Sequence, residues 1–185
     1  KLGINLLQQF AGLPRFRALA EAKKEESQRE LVKAIPWQGE AFDEKIAALL
    51  IDRSGIAPFF TARSAVVACE GHAYTAGPAQ YEKLAKALAK AKAVVTVDAK
   101  ALTESDFPAD SLPLFDVQLA SYLLDPARVM YPLSYMAGLY GVPEVFADEM
   151  EDFADKGSLI GDFLSKIYEP CCRKLEENGV MTLFT

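Results

Sequence analysis

The sequence contains no stretch of eighteen apolar residues, so we expect no transmembrane helix and no membrane partner. Its first residues, Lys1-Leu2-Gly3-Ile4-Asn5, do not have the pattern of a secretory signal peptide, and the missing initiator methionine suggests a fragment of a longer protein. Cysteine is scarce as well. An odd count of 3, with Cys171 and Cys172 adjacent, argues against a disulfide framework and favours a cytoplasmic location.

Sequence patterns that accompany several kinds of catalysis are also missing. We find no glycine-rich phosphate loop, no nucleophile elbow and no zinc-ligand spacing. The single histidine, His72, has no partner motif and is interpreted as a turn residue. Acidic residues outnumber basic ones by 26 to 20, which gives a net charge of −6. Since phosphate neutralisation supplies most of the affinity of nucleic-acid binders, DNA contact is expected to be weak unless a neighbouring domain supplies positive charge.

The residues that are present suffice for one domain, because 51% of the 185 residues are apolar. Residues 1–10 are interpreted as a short apolar helix end, 11–40 as a charged linker or helix, and 41–185 as the domain. Within that domain, residues 41–53 carry apolar side chains at helical spacing, which predicts an amphipathic helix that ends at Ser54-Gly55. Its apolar face would consist of Phe42, Ile46, Leu49 and Leu50.

The following segments predict strands first and helices later. Three short apolar runs, 56–62, 65–69 and 73–75, are bounded by turn-forming residues and predict a strand meander. A helix over 78–92 and a buried strand over 94–97 come next. Further helices are predicted at 115–124, 133–140 and 158–177, with Phe115, Leu119, Tyr122 and Leu123 on the inner face of the first of them. This order predicts an α/β (α+β) domain.

The most specific signal is the run from Leu114 to Pro126, Leu-Phe-Asp-Val-Gln-Leu-Ala-Ser-Tyr-Leu-Leu-Asp-Pro. It resembles a segment of the bacterial family A DNA polymerases in which Phe-Asp opens a helix ending in Tyr-Leu-Leu-Asp-Pro. Four more stretches resemble that family in the same chain order: residues 2–10, 94–100, 133–141 and 175–184. The chain is therefore similar to the 3′-to-5′ exonuclease domain of a DNA polymerase I, with residues 1–10 as the tail of the upstream 5′-nuclease domain.

This resemblance implies an RNase H-like fold of the DEDD exonuclease type, with a mixed sheet flanked by helices. In active relatives, Asp-x-Glu on the first strand, the Asp of Asn-x-x-Tyr-Asp and the Asp of Tyr-x-x-x-Asp hold two Mg²⁺ ions. The ions activate water and stabilise the leaving oxygen. The resemblance also implies the polymerase domain of the same chain as a partner, and contact with DNA through the parent protein.

The first two exonuclease motifs have lost their metal ligands in this sequence. The resemblance places the first strand at 56–62, and no Asp or Glu occurs in residues 54–69, so the Asp-x-Glu pair is missing. In the second motif, Asp98 stands where the family has Asn, and Leu102 stands where it has the metal-binding Asp. An apolar Leu102 is expected to pack against the sheet instead.

The last motif best matches residues 151–155, where Glu151 replaces the Tyr and Asp155 could keep the carboxylate. At most one of the four ligands then survives, so we predict no catalytic residue, no bound metal and no cofactor in this domain. Asp116 is interpreted as a helix N-cap and Asp98 as a strand-end turn residue. The function predicted on these grounds is a vestigial exonuclease domain that supports the polymerase domain.

Two alternatives remain open at this point. One is an active 3′-to-5′ nuclease with relocated carboxylates, for which Glu70, Asp98 and Asp155 would have to converge on a metal pair. The other is a helical interaction module that uses the apolar stripe of residues 159–175 as a docking face. The strand content predicted for 56–97 counts against this second alternative.

Overall fold

One mixed sheet of six strands organises the computed structural model, which describes residues 32–56, 59–147 and 150–183. The strands are β1 (Ile35–Pro36), β2 (Ile46–Ile56), β3 (Phe59–Cys69), β4 (His72–Ala76), β5 (Ala93–Thr96) and β6 (Leu114–Asp116). Their order across the sheet is β1-β4-β3-β2-β5-β6. The predictions for residues 1–10, and for 11–31 of the linker, lie outside the described residues.

The chain crosses the sheet in two directions from a central strand. β2, β3 and β4 form an antiparallel meander toward one edge, and the two-residue β1 pairs in parallel with β4 beyond it. The chain then returns to the other side of β2, where β5 lies parallel to β2 and β6 lies parallel to β5. The predicted mixed sheet, with the 56–75 region and 94–97 in one sheet, is therefore confirmed.

The helices cover both faces of this sheet. They are α1 (Tyr81–Leu88), α2 (Ala99–Thr103), α3 (Val117–Leu124), α4 (Leu133–Tyr140) and α5 (Phe153–Glu177), and short 3-10 turns occupy Pro78–Gln80 and Met181–Leu183. The predicted inner face of α1 is confirmed, because Tyr81, Leu84, Ala85 and Leu88 are buried. No helix among the described residues is long and apolar enough to cross a membrane.

The predicted helix over residues 41–53 is wrong, because most of that segment belongs to the strand β2. Six consecutive apolar residues, Ile46 to Ile51, open this strand, and the sheet places them alternately on its two faces. Leu49 packs in the main apolar cluster with α1, whereas Leu50 faces α5. A strand that is covered on both faces has a continuous apolar sequence, which also satisfies helical spacing.

The long helix α5 lies very close to the sheet at two glycines. A Cβ atom on Gly157 would lie 2.8 Å from Cβ of Val66, and one on Gly161 would lie 2.6 Å from Cβ of Ala68. The apolar stripe of α5 is buried by this packing, and Phe163, Leu164 and Ile167 have at most 1% of their surface exposed. The hypothesis that residues 159–175 form a docking stripe is therefore wrong.

The inner face of α3 also differs from its prediction. Phe115 belongs to β6, so the helix begins only at Val117, and its buried residues are Val117, Ala120 and Ser121. Leu119, predicted as core, is 50% exposed, and Tyr122 is 49% exposed. The predicted inner face was counted from Phe115 as if that residue were helical. Because Phe115 and Asp116 are extended, the count selected the wrong face of the helix.

Candidate active-site cleft

A cleft of about 160 Å³ opens at the carboxyl end of β5, beside residues 49–53 of the adjacent parallel strand β2. In open α/β sheets this is the usual ligand position, because the chain leaves a central strand pair there in opposite directions. Strand β2 and helix α2 supply most of the walls. The lining residues are Leu49, Leu50, Ile51, Arg53, Thr96, Val97, Asp98, Ala101 and Leu102.

The only ion pair among these lining residues joins Arg53 to Asp98. Nη1 of Arg53 lies 3.2 Å from Oδ2 of Asp98, and the guanidinium lies 4.7 Å above the ring of Phe60. Both charged side chains are partly exposed, whereas Leu49 and Leu102 at the opposite wall are buried. The charged groups therefore lie on the solvent side of a cleft whose inner wall is apolar.

Asp98 also begins helix α2. Its Oδ1 accepts a hydrogen bond of 2.9 Å from the backbone N–H of Ala101, which caps the helix as expected for a strand-end aspartate. The helix places Leu102 in the main apolar cluster with 2% of its surface exposed, as the sequence predicted. Asp98 and Leu102, which stand at second-motif positions, are thus brought together in the cleft.

The first-motif position needs a correction. The meander begins with β2, so the segment 56–62, which was predicted as the first strand, belongs partly to the second strand. On β2, Leu49, Ile51 and Arg53 line the cleft at alternate positions, and none of them is acidic. Asp52 also lies on this strand, whereas its sequence context predicted a helix.

Asp52 does not line the cleft. Its Oδ1 accepts a hydrogen bond of 2.8 Å from Nη2 of Arg63, which is the unpaired residue where the β2–β3 register shifts. The side chain of Asp52 is 27% exposed and is already neutralised by this arginine. The side chain of Asp52, the one acidic residue on β2, therefore contacts Arg63 and does not face the cleft.

The carboxylates proposed for a relocated site do not converge with Asp98. Glu70 forms a 2.9 Å ion pair with Lys45, which precedes β2, and this hydrogen bond and charge raise the pKa of Lys45. Asp98 pairs instead with Arg53 near the end of β2. At about 3.3 Å per residue, Lys45 and Arg53 are roughly 25 Å apart along the strand, so their acidic partners are far from each other.

The last-motif residues also lie away from the lining of the cleft. Glu151 is exposed and precedes α5 by two residues. Asp155 lies in the first turn of α5, where its backbone N–H donates a 2.9 Å hydrogen bond to Oδ1 of the capping residue Asp152. Neither residue is among those that line the cleft.

The donor set of the cleft does not fit a pair of Mg²⁺ ions. Mg²⁺ prefers carboxylate oxygens, and the lining residues provide one carboxylate, Asp98, which already binds a guanidinium and a backbone N–H. Within residues 32–56, 59–147 and 150–183, no group of three or more His, Cys, Asp or Glu side chains could hold a metal.

Asp116 connects the cleft to the neighbouring helix. Its Oδ1 accepts a 3.0 Å hydrogen bond from the N–H of Leu119, so the predicted N-cap of α3 is confirmed. Its Oδ2 accepts a second bond of 2.9 Å from the N–H of Ala99, the first residue of α2. A single carboxylate therefore fixes the starts of both helices that follow β5 and β6.

The chain was compared with known proteins by sequence and by structure. No family model matches it, and no curated protein matches its sequence. Among solved structures it is similar to the POL domain of Pol1 from M. smegmatis in complex with DNA primer-template and dNTP, with a TM-score of 0.64 and 14% identity. It is also similar to Brucella melitensis NrnC bound to pGG, with a TM-score of 0.56 and 14% identity.

The fold is that of the RNase H-like exonuclease domains. The similarity covers 82% of this chain in both comparisons, together with 86% of the NrnC chain. The chain spans only 29% of the length of the Pol1 chain that it matches. At 14% identity these matches establish the fold, and they leave substrate and activity to be argued from the cleft.

Proposed function

We propose that this chain is part of a DNA polymerase I and contains an exonuclease-type domain that has lost hydrolytic activity and supports the polymerase domain. One observation carries the proposal. At the carboxyl end of β5, beside residues 49–53 of β2, the cleft offers a single carboxylate, Asp98, and an arginine neutralises it. The lining residues of β2 are not acidic, and Leu102 stands at the second-motif position where the resemblance implies a metal-binding Asp.

This wall cannot perform two-metal hydrolysis. That chemistry needs anionic oxygens to hold two cations, which lower the pKa of the attacking water and stabilise the leaving oxygen. Losing one strong electrostatic stabiliser typically costs about 10²–10³ in rate. Without carboxylates at these positions the two cations have no ligands, so we expect no hydrolysis above background.

Support for the platform role comes from exposed apolar side chains on one part of the surface. Leu119 and Tyr122 lie three residues apart on α3 and are about half exposed, and Val129 and Met130 in the following loop are 94% and 72% exposed. Large apolar side chains exposed in one region are typical of interaction surfaces. The polymerase domain of the same chain is the partner that we propose for this surface.

Any DNA contact would then come through the parent protein rather than from this domain alone. The net charge of −6 gives the chain little attraction for phosphates. The cytoplasm is the proposed location, since a DNA polymerase I acts on the chromosome and the described cysteines are all free thiols.

The test is a nuclease assay on a labelled primer with a mispaired 3′ end, with Mg²⁺ and without nucleotides. The purified polymerase and a form lacking this domain are compared, and a variant with a disabled polymerase site serves as control. We expect the same background with and without the domain. Stepwise 3′ shortening that requires this domain and persists in the control would refute the proposal and support relocated carboxylates.

A further inference from the structure

The loop that follows α3, residues 125–131, is held in one conformation by its own side chains. The hydroxyl of Tyr131, a residue that is 8% exposed, donates to the backbone carbonyls of Asp125 and Arg128 at 2.6 and 3.1 Å. Oδ2 of Asp125 also accepts a 2.7 Å hydrogen bond from the hydroxyl of Tyr135 on α4. A loop that is fixed in this way loses little conformational entropy on binding, so it is suited to contact a partner.

This loop projects two apolar side chains into solvent. Val129 is 94% exposed and Met130 is 72% exposed. Partial burial and neighbouring ionisable groups, Tyr122 among them, raise the pKa of Tyr131, so Tyr122 lies beside the loop. Leu119 lies three residues before Tyr122 on α3, and both are about half exposed. We call these four exposed side chains of α3 and the loop the α3-loop surface.

The α3-loop surface is nearly free of charge. Between Asp116 and Glu144 the only charged residues in the sequence are Asp125 and Arg128, although charged residues make up 25% of the chain. Nε of Arg128 lies 3.7 Å from Oδ2 of Asp125, and its guanidinium lies 3.8 Å from the ring centre of Tyr135. The two charges therefore neutralise each other within the loop. Few charges and exposed Tyr and Met side chains are typical of the centre of a protein interface, whereas a nucleic acid requires cations for its phosphates.

The size of the α3-loop surface favours a partner that is tethered to this chain. Even at about 250 Å² for each fully exposed large side chain, the four side chains offer less than the roughly 800 Å² per partner that a stable complex between free proteins buries. A domain on the same chain needs less contact area, because the linker holds it at a high effective concentration. A second copy of this chain, or another free protein, is therefore disfavoured.

We propose that the loop is a preorganised anchor, which inserts Val129 and Met130 into an uncharged apolar hollow on the polymerase domain of the same chain. Tyr131 positions the anchor through its two hydrogen bonds, and the exposed side chains of α3 contact the rim of the hollow. This inference rests on the proposed function and deepens it, because it names the residues that couple the two domains and the chemistry of the surface that receives them.

The test is hydrogen–deuterium exchange of the full-length polymerase, measured by mass spectrometry in the polymerase domain. Val129→Ser together with Met130→Ser should raise the exchange of one region of that domain about tenfold or more, because removing the anchors of an interface typically costs that much in binding. Ile35→Ser is the control, since it removes a 51% exposed apolar side chain from the edge strand β1, and it should change nothing there. Unchanged exchange in the double variant would overturn the proposal. Protection of residues 125–131 that rises with protein concentration would also overturn it, because it would assign the surface to a second copy.

A second variant separates the rigidity of the loop from its apolar contacts. Tyr131→Phe keeps the ring and removes the hydroxyl with its two hydrogen bonds. It should raise exchange in the same region of the polymerase domain by about 2–10-fold, while the circular dichroism spectrum is retained. Unchanged exchange in this variant would show that Tyr131 does not position the anchor.

Deletion of this whole domain distinguishes failure of the inference from failure of the proposed function. If the deletion raises exchange in the polymerase domain and the double variant does not, the supporting role stands and the anchor is wrong. If the deletion changes nothing in the polymerase domain, the supporting role itself is refuted.

Discussion

The guanidinium of Arg53 lies 3.2 Å from the carboxylate of Asp98 and links strand β2 to the residue that caps helix α2 after the parallel strand β5. Among the described residues that line the cleft, Asp98 is the only acidic one, and Arg53 beside it supplies the compensating positive charge. Both side chains are partly exposed, and such pairs contribute little to stability, about 0–1 kcal/mol. The pair therefore matters more for the electrostatics of the cleft than for the stability of the fold.

The close approach of α5 to the sheet predicts opposite effects for two glycine substitutions. Gly161→Ala places a Cβ atom 2.6 Å from Cβ of Ala68, and this overpacking should destabilise the chain by about 1–3 kcal/mol. Gly138→Ala in α4 meets nothing within 4 Å and should stabilise it by about 0.5–1 kcal/mol. Urea unfolding of both variants measures the difference. Equal effects would contradict the packing described for α5.

Burial predicts different costs for truncating two large apolar side chains, Phe163 and Leu119. Phe163 is 1% exposed, and Phe163→Ala should cost about 3–5 kcal/mol through the cavity that it leaves. Leu119 is 50% exposed, so Leu119→Ala should change the stability by no more than about 0.5 kcal/mol. Thermal and urea unfolding of both variants provide the measurement. A large loss for Leu119→Ala would indicate that the face of α3 is covered.

The spacing of apolar residues correctly predicted elements that expose one face to solvent. It failed for elements that are buried on both faces. The inner face of α1 follows directly from helical spacing, since its outer face is polar. The apolar run that opens β2 carries no alternation, because Leu49 and Leu50 are buried against opposite layers. Leu119 was misplaced because the extended residues of β6 precede the helix, and a boundary error of two residues rotates the predicted face by about 200°.

The candidate site could also be predicted only in part from the sequence. Leu102 and Asp98 could be assigned because they follow a recognisable buried strand. Arg53 and Thr96 could not, since their proximity depends on the parallel pairing of β2 with β5, which are far apart in sequence. The missing signal was the correct identity of β2, because a strand there would have placed residues 49–53 beside 96–98.

Alkaline pH should destabilise the chain through the thiol of Cys171. Burial raises its pKa from 9.0 to about 12, and its hydrogen bond with Tyr140 lowers the pKa only in part. Between these two values the unfolded state loses the thiol proton and the folded state keeps it, so stability falls as pH rises above about 9. The slope should approach about 1.4 kcal/mol per pH unit for this one group.

Unfolding in urea between pH 8 and pH 11 would measure that slope. Cys171→Ala should flatten it although the variant is less stable overall, because the buried thiol no longer titrates. Cys172→Ala serves as the control, since Cys172 is only partly buried and burial raises its pKa less decisively. An identical slope in Cys171→Ala and the unmodified chain would assign the alkaline loss to other groups.

The last prediction concerns metal binding, for which the cleft of the unmodified chain has too few carboxylates. Calorimetric titration of the unmodified chain with Mn²⁺ should give no saturable signal below millimolar, because one carboxylate paired with an arginine cannot hold two cations. Leu49→Asp, Ile51→Glu and Leu102→Asp together supply three carboxylates around Asp98 on the same walls. This triple variant should bind Mn²⁺ and gain stability with added metal, although burying the charges lowers its stability without metal.

Two controls decide what such binding means. Moving the same three carboxylates to the exposed positions Leu119, Val129 and Met130 keeps the net charge of the triple variant and should not create a saturable site. Asp155→Ala in the unmodified chain should leave the titration unchanged, since Asp155 lies in the first turn of α5 and does not line the cleft. A sub-millimolar signal in the unmodified chain that disappears in Asp155→Ala would show that the last-motif carboxylate does reach a metal. The loss of hydrolysis proposed above would then fail at its first step, because a metal would be available to activate water.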